Sequence, residues 1–412
     1  MRGATALTVA AASASVVGAC SGSLPASAAS PGAVATPVIR AVAAAWPRRA
    51  GPARPGNVQD KPDAAAARPS ARYCRAGGAR LWANLAACGW PGPANTGPNL
   101  SQCPGRRLVP RGTSLRRVIE VRTANAVISC QKILGVLDIE ARNVTVRNTS
   151  IMSSSGKKGV AANGTADIFV ADGASATIDH VTINGDDAVH ACIWHQGTKL
   201  TVTAVNCFGV NDGIFSWADT GYSATTGDHF TIKDSYFHGF TTATANGHGD
   251  GYQTEGARNG LIEHNTYRMT TAADSAIAIW DSLKTSRNIT VIANLITGGG
   301  FAVYADDYSP GDGAPGHPPQ VGGFSVINIR FIDNAFSTLA SGCVGKWGVW
   351  FARPAWKPYR GGPTDGWHRR GNRVLETGEH IDTHNPHRNG TLCRLPGSRA
   401  AGGSVAHPPS TC

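Results

Sequence analysis

Lys199-Leu200-Thr201-Val202 and, thirty residues on, His229-Phe230-Thr231-Ile232 share one form: a polar corner residue, then apolar positions alternating with hydroxyl ones. The same form occurs before them as Asn143-Val144-Thr145-Val146 and Ser175-Ala176-Thr177-Ile178. It returns as Asn259-Gly260-Leu261-Ile262, Asn288-Ile289-Thr290-Val291 and Gly323-Phe324-Ser325-Val326. The Val or Ile that closes each unit stands at 146, 178, 202, 232, 262, 291 and 326, at spacings of 32, 24, 30, 30, 29 and 35 residues. Period-two alternation with β-branched residues reads as strand. Each unit is too short to bury a layer alone, so units must stack. A sandwich also has many short strands, but it does not repeat one form at about thirty residues. The pattern predicts an all-β solenoid of parallel strands, one coil per repeat, with coils about 4.8 Å apart.

Two strings inside this array carry chemistry: Asn211-Asp212-Gly213-Ile214-Phe215-Ser216 and His248-Gly249-Asp250-Gly251-Tyr252-Gln253-Thr254-Glu255. Aligned on their aspartates, they extend to a column of Asp187, Asp212, Asp250, Ser275 and Gly300. Behind it Val189, Ile214, Tyr252, Ile277 and Ala302 form an inward ladder, and His190, Phe215, Gln253, Ala278 and Val303 form the next column. The longer interval between Asp212 and Asp250 places an insertion at 241–247 or 219–228.

Cys88-Gly89-Trp90-Pro91-Gly92-Pro93-Ala94-Asn95-Thr96-Gly97, together with the Val-Thr-Ile strands and the Asp-Gly-x-Gln element, resembles the right-handed parallel β-helix superfamily. That superfamily includes pectate lyases, polygalacturonases and secreted actinobacterial proteins. The resemblance spans about residues 74 to 350 and implies a right-handed, single-stranded solenoid. It does not choose a reaction, because this architecture carries lyases, hydrolases, isomerases and adhesins.

On adjacent coils Asp212 and Asp250 would be close enough for one to hold a proton at neutral pH. Glycoside hydrolysis needs that pairing: one acid, one base or nucleophile. His248 stands two residues before Asp250 and is a second proton carrier. Asp212, Asp250 and His248 are the candidate catalytic residues. Gln253, Glu255, Asp187, Asp274, Trp280, Asp281, Tyr304 and Asp306 are candidate substrate contacts, Trp280 and Tyr304 by stacking on a sugar face. The bland reading is that Asp-Gly is an ordinary turn pair and that a solenoid repeats its corners. A lyase on this fold uses Lys or Arg as base, and the central columns hold neither. The polygalacturonase pattern is also incomplete, with no adjacent-Asp pair on the next coil. No cofactor is required. Ca2+ is admissible through Asp186, Asp187 and Asp212, or through Asp306 and Asp307. A zinc site from His380, His384 and His387 lacks the His-Glu-x-x-His spacing.

Arg2, the Ala-rich run 4–19 and Ala26-Ser27-Ala28 read as a secretory signal over residues 1–28. Val17-Gly18-Ala19-Cys20 also matches a lipobox, so lipid anchoring through Cys20 is the alternative to free secretion. Residues 29–70, rich in Ala and Pro, read as a pro-segment or linker. A single domain follows over 71–412: a disulfide-rich cap to 130, with a helix near Ala79–Ala87 covering the first coil, coils to about 342, and an aromatic cap from 343. Cysteines of an exported chain pair, and Cys74–Cys88, Cys103–Cys130 and Cys192–Cys207 are the local choices. The formal charge of +11 suits an acidic polysaccharide or simple solubility. No nucleic-acid motif is present. The expected partner is an extracellular polysaccharide. No protein partner is implied, and the chain is expected to be a monomer.

Overall fold

The structure is a computed structural model that describes residues 72–154, 157–158, 165–216, 227–240, 248–270, 272–281, 284–306, 326–340, 344–353 and 367–383. All of these belong to the second of two compact units, Asp63–Cys412. They form a solenoid whose strands pair in parallel, coil upon coil. The exceptions among the described residues are the two-residue pair of Lys157–Lys158 with Thr165 and Ala166, and an isolated bridge from Arg373 to His380.

Three strand ladders run the length of the solenoid. The first aligns Ile128, Val146, Ile178, Val202, Ile232, Ile262, Val291 and Phe331, one per coil. All of them are buried in one continuous core, where each aliphatic side chain removed from water contributes about 1.5–3 kcal/mol. Val326, expected as the last anchor, is also buried but pairs with Ser286; Phe331 takes its place in the column. The second ladder runs through Thr266–Arg268, Leu295–Thr297 and Ala335–Ser337. The third contains Asp250–Thr254, Ser275–Trp280, Phe301–Asp306 and Gly348–Arg353, and it carries the candidate site.

The corners between strands explain the polar residue that opens four of the sequence units, at Asn143, His229, Asn259 and Asn288. Asn143, His229, Asn259, Asn288 and Asn328 all have φ between 52° and 59°. Asn and His tolerate this left-handed region better than most side chains. A second corner is lined inside by asparagines. The Asn265 and Asn294 amides donate to the carbonyl oxygens of Asn294 and Asn334 at 3.0 Å, and Asn334 donates to Asn372 at 2.9 Å. Asn372 donates to Asp382 Oδ1 at 2.7 Å, which ends the ladder on a carboxylate. Each of these amides also donates to a buried backbone carbonyl, so the corner has its polar groups paired.

The N-terminal segment does not cover the first coil. Its helices, Arg72–Ala76 and Gly78–Ala83, pack beside the last coils. Trp82 Nε1 donates to Ser337 Oγ at 3.0 Å, and the Gly78 N–H donates to Glu376 at 2.9 Å. The chain then runs back along the solenoid. Trp90 stacks on His264, the Gly97 N–H donates to the Ala204 carbonyl, the Asn99 N–H donates to Asn148 Oδ1, and Cys103 bonds to Cys130. The reason lies in the second ladder, which presents Tyr236, Leu295 and Ala335 outward; Leu81, Trp82 and Leu85 bury them. On the first coil Val109, Val118 and Val127 stay 55%, 41% and 59% exposed, as an uncovered end requires. The remaining expected disulfides, Cys74–Cys88 and Cys192–Cys207, are also formed.

At the other end, Trp350 lies in the core against Phe331 and Phe336, and Trp367 stacks on Phe331 with ring centroids 5.0 Å apart. Those tryptophans act as packing, in line with the aromatic-cap reading. Trp356, Tyr359, Cys343, Cys393 and Cys412 lie outside the described residues, as do the loops 217–226 and 241–247.

Candidate active site

In the third ladder Ile214 pairs with Tyr252, and Tyr252 with Ile277, which sets Asp212, Asp250 and Ser275 side by side on successive coils. The two glycines after the aspartates make this possible. A Cβ on Gly213 would lie 2.8 Å from Phe237 Cδ1, and one on Gly251 would lie 2.4 Å from Tyr267 Cδ1. Both positions therefore face the core, and so do the Ile214 and Tyr252 that follow. Two consecutive core-facing residues break the strand alternation and leave each preceding aspartate on the other side.

The Asp250 backbone N–H donates to Asp212 Oδ1 at 2.8 Å. His190 Nε2 sits 2.8 Å from Asp212 Oδ2. Ser275 Oγ donates to Asp250 Oδ1, while Asp250 Oδ2 is buried without a hydrogen-bond partner. Asp274 completes the group. Its backbone N–H donates to the His248 carbonyl at 2.7 Å, and its own carbonyl accepts from Gly300 at 2.8 Å. The His248 ring meets Trp280 edge-on, centroids 5.3 Å apart.

Burial, followed by the charges of Asp212 and Asp274, pushes the Asp250 carboxyl well above the ordinary carboxylate range; the Ser275 hydroxyl pulls it partly back. Asp274 is raised as well, by burial first and by the Asp212 charge, with His248 opposing. Burial alone would lower the His190 pKa, but the Asp212 carboxylate, through its hydrogen bond and its charge, more than offsets this. The result is a cluster in which burial and like charge favour the protonated forms of Asp250 and Asp274. Asp212 and Asp250 have no solvent exposure, whereas Asp274 and His248 are half-buried. The cluster therefore meets solvent through Asp274 and His248.

The expected contacts divide. Asp274 and Trp280 join the cluster. Gln253 lies buried three residues past Asp250, about 10 Å along the strand. Glu255 and Asp281 lie just beyond the strands Asp250–Thr254 and Ser275–Trp280, Glu255 half-buried and Asp281 buried. Tyr304 packs against Phe301 and Phe351 opposite Ala278. Asp306 ends its strand opposite Trp280. Asp307 and Tyr308 fall outside the described residues.

Asp187 does not belong to the column. Asp212 pairs with Ala191, and Ile214 pairs with Ile193 rather than Val189. Asp186 and Asp187 adopt φ of 52° and 55° in an exposed bulge, where the register jumps between Phe208 and Val210. The last coil is also one residue out of the expected phase. Ile277 pairs with Val303, so Phe301 rather than Gly300 follows Ser275. Gly298 and Gly299, at φ 86° and 85°, make a tight turn, after which the Gly300 and Phe301 amides both point at the Asp274 carbonyl.

Two residues lie beyond the sequence pattern. His190, which the pattern places only in the column next to the inward ladder, is the partner of Asp212, and its place depends on the bulge. Asp167, buried and held by Ser153 Oγ, is likewise pushed well above the ordinary range by burial. The expected calcium ligands do not assemble around Asp186, Asp187 and Asp212. The metal-type cluster among the described residues is Glu120, Asp138 and Glu140, with ligand atoms within 4.8 Å of one another. Arg122 already pairs with both glutamates, at 2.9 and 2.8 Å. Of the histidines considered for zinc, only His380 is described. No helix among the described residues is long and apolar enough to cross a membrane.

No protein-family model matches the chain, and no curated protein matches it in sequence. Solved structures show distant likeness. The A-module of the Azotobacter vinelandii mannuronan C-5 epimerase AlgE4 matches at 11% identity and a TM-score of 0.40, covering 61% of this chain and 60% of its own. The A-module of AlgE6 from the same organism matches at 13% identity and a TM-score of 0.37, covering 61% and 64%. A pectate lyase from Bacillus sp. N165, solved with trigalacturonate, matches at 14% identity and a TM-score of 0.27, covering 68% and 74%. The match thus spans about three fifths of the epimerase modules' length.

Proposed function

We propose that the chain is a secreted carbohydrate-active enzyme that cleaves glycosidic bonds of an extracellular polysaccharide, as a glycoside hydrolase on a right-handed β-helix. The observation that carries this reading is the contact between Asp212 and Asp250, joined on adjacent coils through the Asp250 N–H at 2.8 Å, with Asp274 beside them. Asp250 and Asp274 form the half that holds the proton. Asp274, the member that meets solvent, delivers it to the glycosidic oxygen as the C–O bond breaks. Asp212 is the partner carboxylate, positioned by His190 and the Asp250 N–H. Asp274 stands two coils beyond Asp212, about twice the 4.8 Å coil spacing, which is nearer the ~6.5–9.5 Å carboxyl separation of inverting enzymes, in which the second carboxylate activates a water. His248 adjusts the proton affinity of Asp274 from the rim.

No lysine or arginine is among the groups that set the proton affinity of Asp250 or Asp274, and Lys284 is engaged by Asp228 at 2.9 Å. That favours hydrolysis over β-elimination, which needs a cation to neutralise the substrate carboxylate. The grouping of Asp212, Asp250, Asp274 and His248 speaks against a solenoid that only binds. Within the same proposal, residues 1–28 are a signal peptide, 29–70 a linker and 71–412 one domain, with export free or lipid-anchored through Cys20. The test is a panel of neutral and acidic polysaccharides assayed for new reducing ends and for the ultraviolet absorbance of unsaturated uronides. Reducing ends without that absorbance support hydrolysis. Absorbance assigns the chain to the lyases, and no new end on any polymer defeats the enzymatic reading.

A further inference from the structure

We infer that the chain carries a second carbohydrate site, away from the carboxylates, that takes a carboxylated sugar unit. A cavity of about 610 Å3 lies between the helix Gly78–Ala83 and the second ladder. Its volume falls within the range of small-ligand sites. Ala79, Trp82 and Ala83 line it from one face of the helix, as their i, i+3, i+4 spacing dictates. Two of these are exposed alanines, which is why space remains beside the helix. Met269, Leu339 and Ala340 supply the rest of the apolar wall, and Thr270 brings a hydroxyl, whereas the buried Thr297 hydroxyl donates to the Ser337 carbonyl and accepts from the Ala340 N–H.

Arg268 is the one charged side chain among the described lining residues. It is exposed, and no carboxylate among the described residues lies within ion-pair distance of it. An apolar wall with a hydroxyl and one guanidinium matches a sugar ring bearing a carboxylate, which Arg can hold in a two-pronged contact. Charge points the same way. The formal charge of +11 favours the approach of an acidic polymer. His238 pairs in register with Arg268 and stacks on Tyr236, centroids 4.2 Å apart, and on Phe208 at 5.1 Å. The half-buried His238 and Phe208 rings continue from Arg268 as a platform on which an adjoining sugar unit can lie, beside a Tyr236 that the helix buries. The inference extends the polysaccharide reading above by naming a substrate class.

Trigalacturonate and a mannuronate trisaccharide serve as probes, with the neutral galactose trisaccharide as control, titrated calorimetrically into the full chain. Saturable binding of at least one uronate probe and none of the neutral sugar is expected. Arg268→Gln weakens it about tenfold or more, as loss of a charge-assisted pair does. Ala83→Trp, on the exposed helix face, fills the cavity and abolishes it, while Arg287→Gln, exposed elsewhere, leaves it unchanged. Absence of uronate binding at millimolar concentration overturns the inference, as does binding indifferent to both Arg268→Gln and Ala83→Trp. Cleavage is scored separately. Binding without cleavage defeats the hydrolase reading alone, and cleavage of a neutral polymer without uronate binding defeats this inference alone.

Discussion

Replacing Asp250 by Asn separates the proposed chemistry from the turn-residue reading, because the two predict opposite effects on stability. The change keeps the shape and the acceptor for Ser275 Oγ, and it places an amide donor where Asp250 Oδ2 is buried without a partner. In the parent, Asp250 is protonated in both folded and unfolded chains at low pH. As pH rises through the ordinary carboxylate range the unfolded chain loses that proton while the folded chain keeps it. A raised folded pKa thus gives stability that is complete below the unfolded pKa and is lost as pH climbs towards the folded one. Asn has no such term. The variant should match the parent near pH 3 and become progressively more stable than it towards pH 8. The difference in pKa between the folded and unfolded chains sets the scale, about 1.4 kcal/mol for each pH unit between them. Thermal midpoints of the two proteins, measured side by side across that range, read the difference directly. Turnover should fall by about 10²–10⁴ if Asp250 supplies the proton. A variant that is less stable than the parent at neutral pH, or a gap independent of pH, would falsify the claim that Asp250 holds a proton in the folded chain.

His190→Gln removes the imidazole held by Asp212, and since the His190 pKa is raised, it should move the alkaline limb of the rate profile; a profile that merely scales down would make His190 structural. Asn334→Leu breaks the middle of the asparagine ladder and leaves the Val291 carbonyl without its donor and the Asn294 amide and backbone N–H without their Asn334 acceptor, so unfolding should become easier by roughly 2–4 kcal/mol in denaturant titrations. An unchanged midpoint would mean that solvent replaces the ladder. Glu376→Ala removes the acceptor for the Gly78 N–H, the Thr338 N–H and the Ser337 hydroxyl, and limited proteolysis should then cut near residues 72–88 first while the coils survive. Simultaneous loss of coils and strap would show that the strap is integral to the solenoid.

The sequence by itself determined the solenoid, because a strand buried on one face must alternate with period two, and its corners must take residues that accept positive φ. Val146, Ile178, Val202, Ile232, Ile262 and Val291 could be named as core from that rule alone. Asp212, Asp250 and Ser275 could be aligned because no bulge interrupts their coils. Local spacing likewise gave the three disulfide pairings. The tertiary structure alone decided what depends on residues that leave the repeat. Asp186 and Asp187 bulge out, which shifts Ala191 into the Asp212 column and brings His190 against the carboxylate. Glycines at 298 and 299 shift the next coil by one. The N-terminal helices bind the far end of the solenoid because Tyr236, Leu295 and Ala335 point outward there. A period-two pattern fixes which way a side chain points only while the register runs unbroken, and each insertion resets it by an amount set by backbone geometry. Proton affinity is settled at the same level: the Asp250 carboxyl is raised because folding buries it beside Asp212 and Asp274, and no local string of residues encodes that burial.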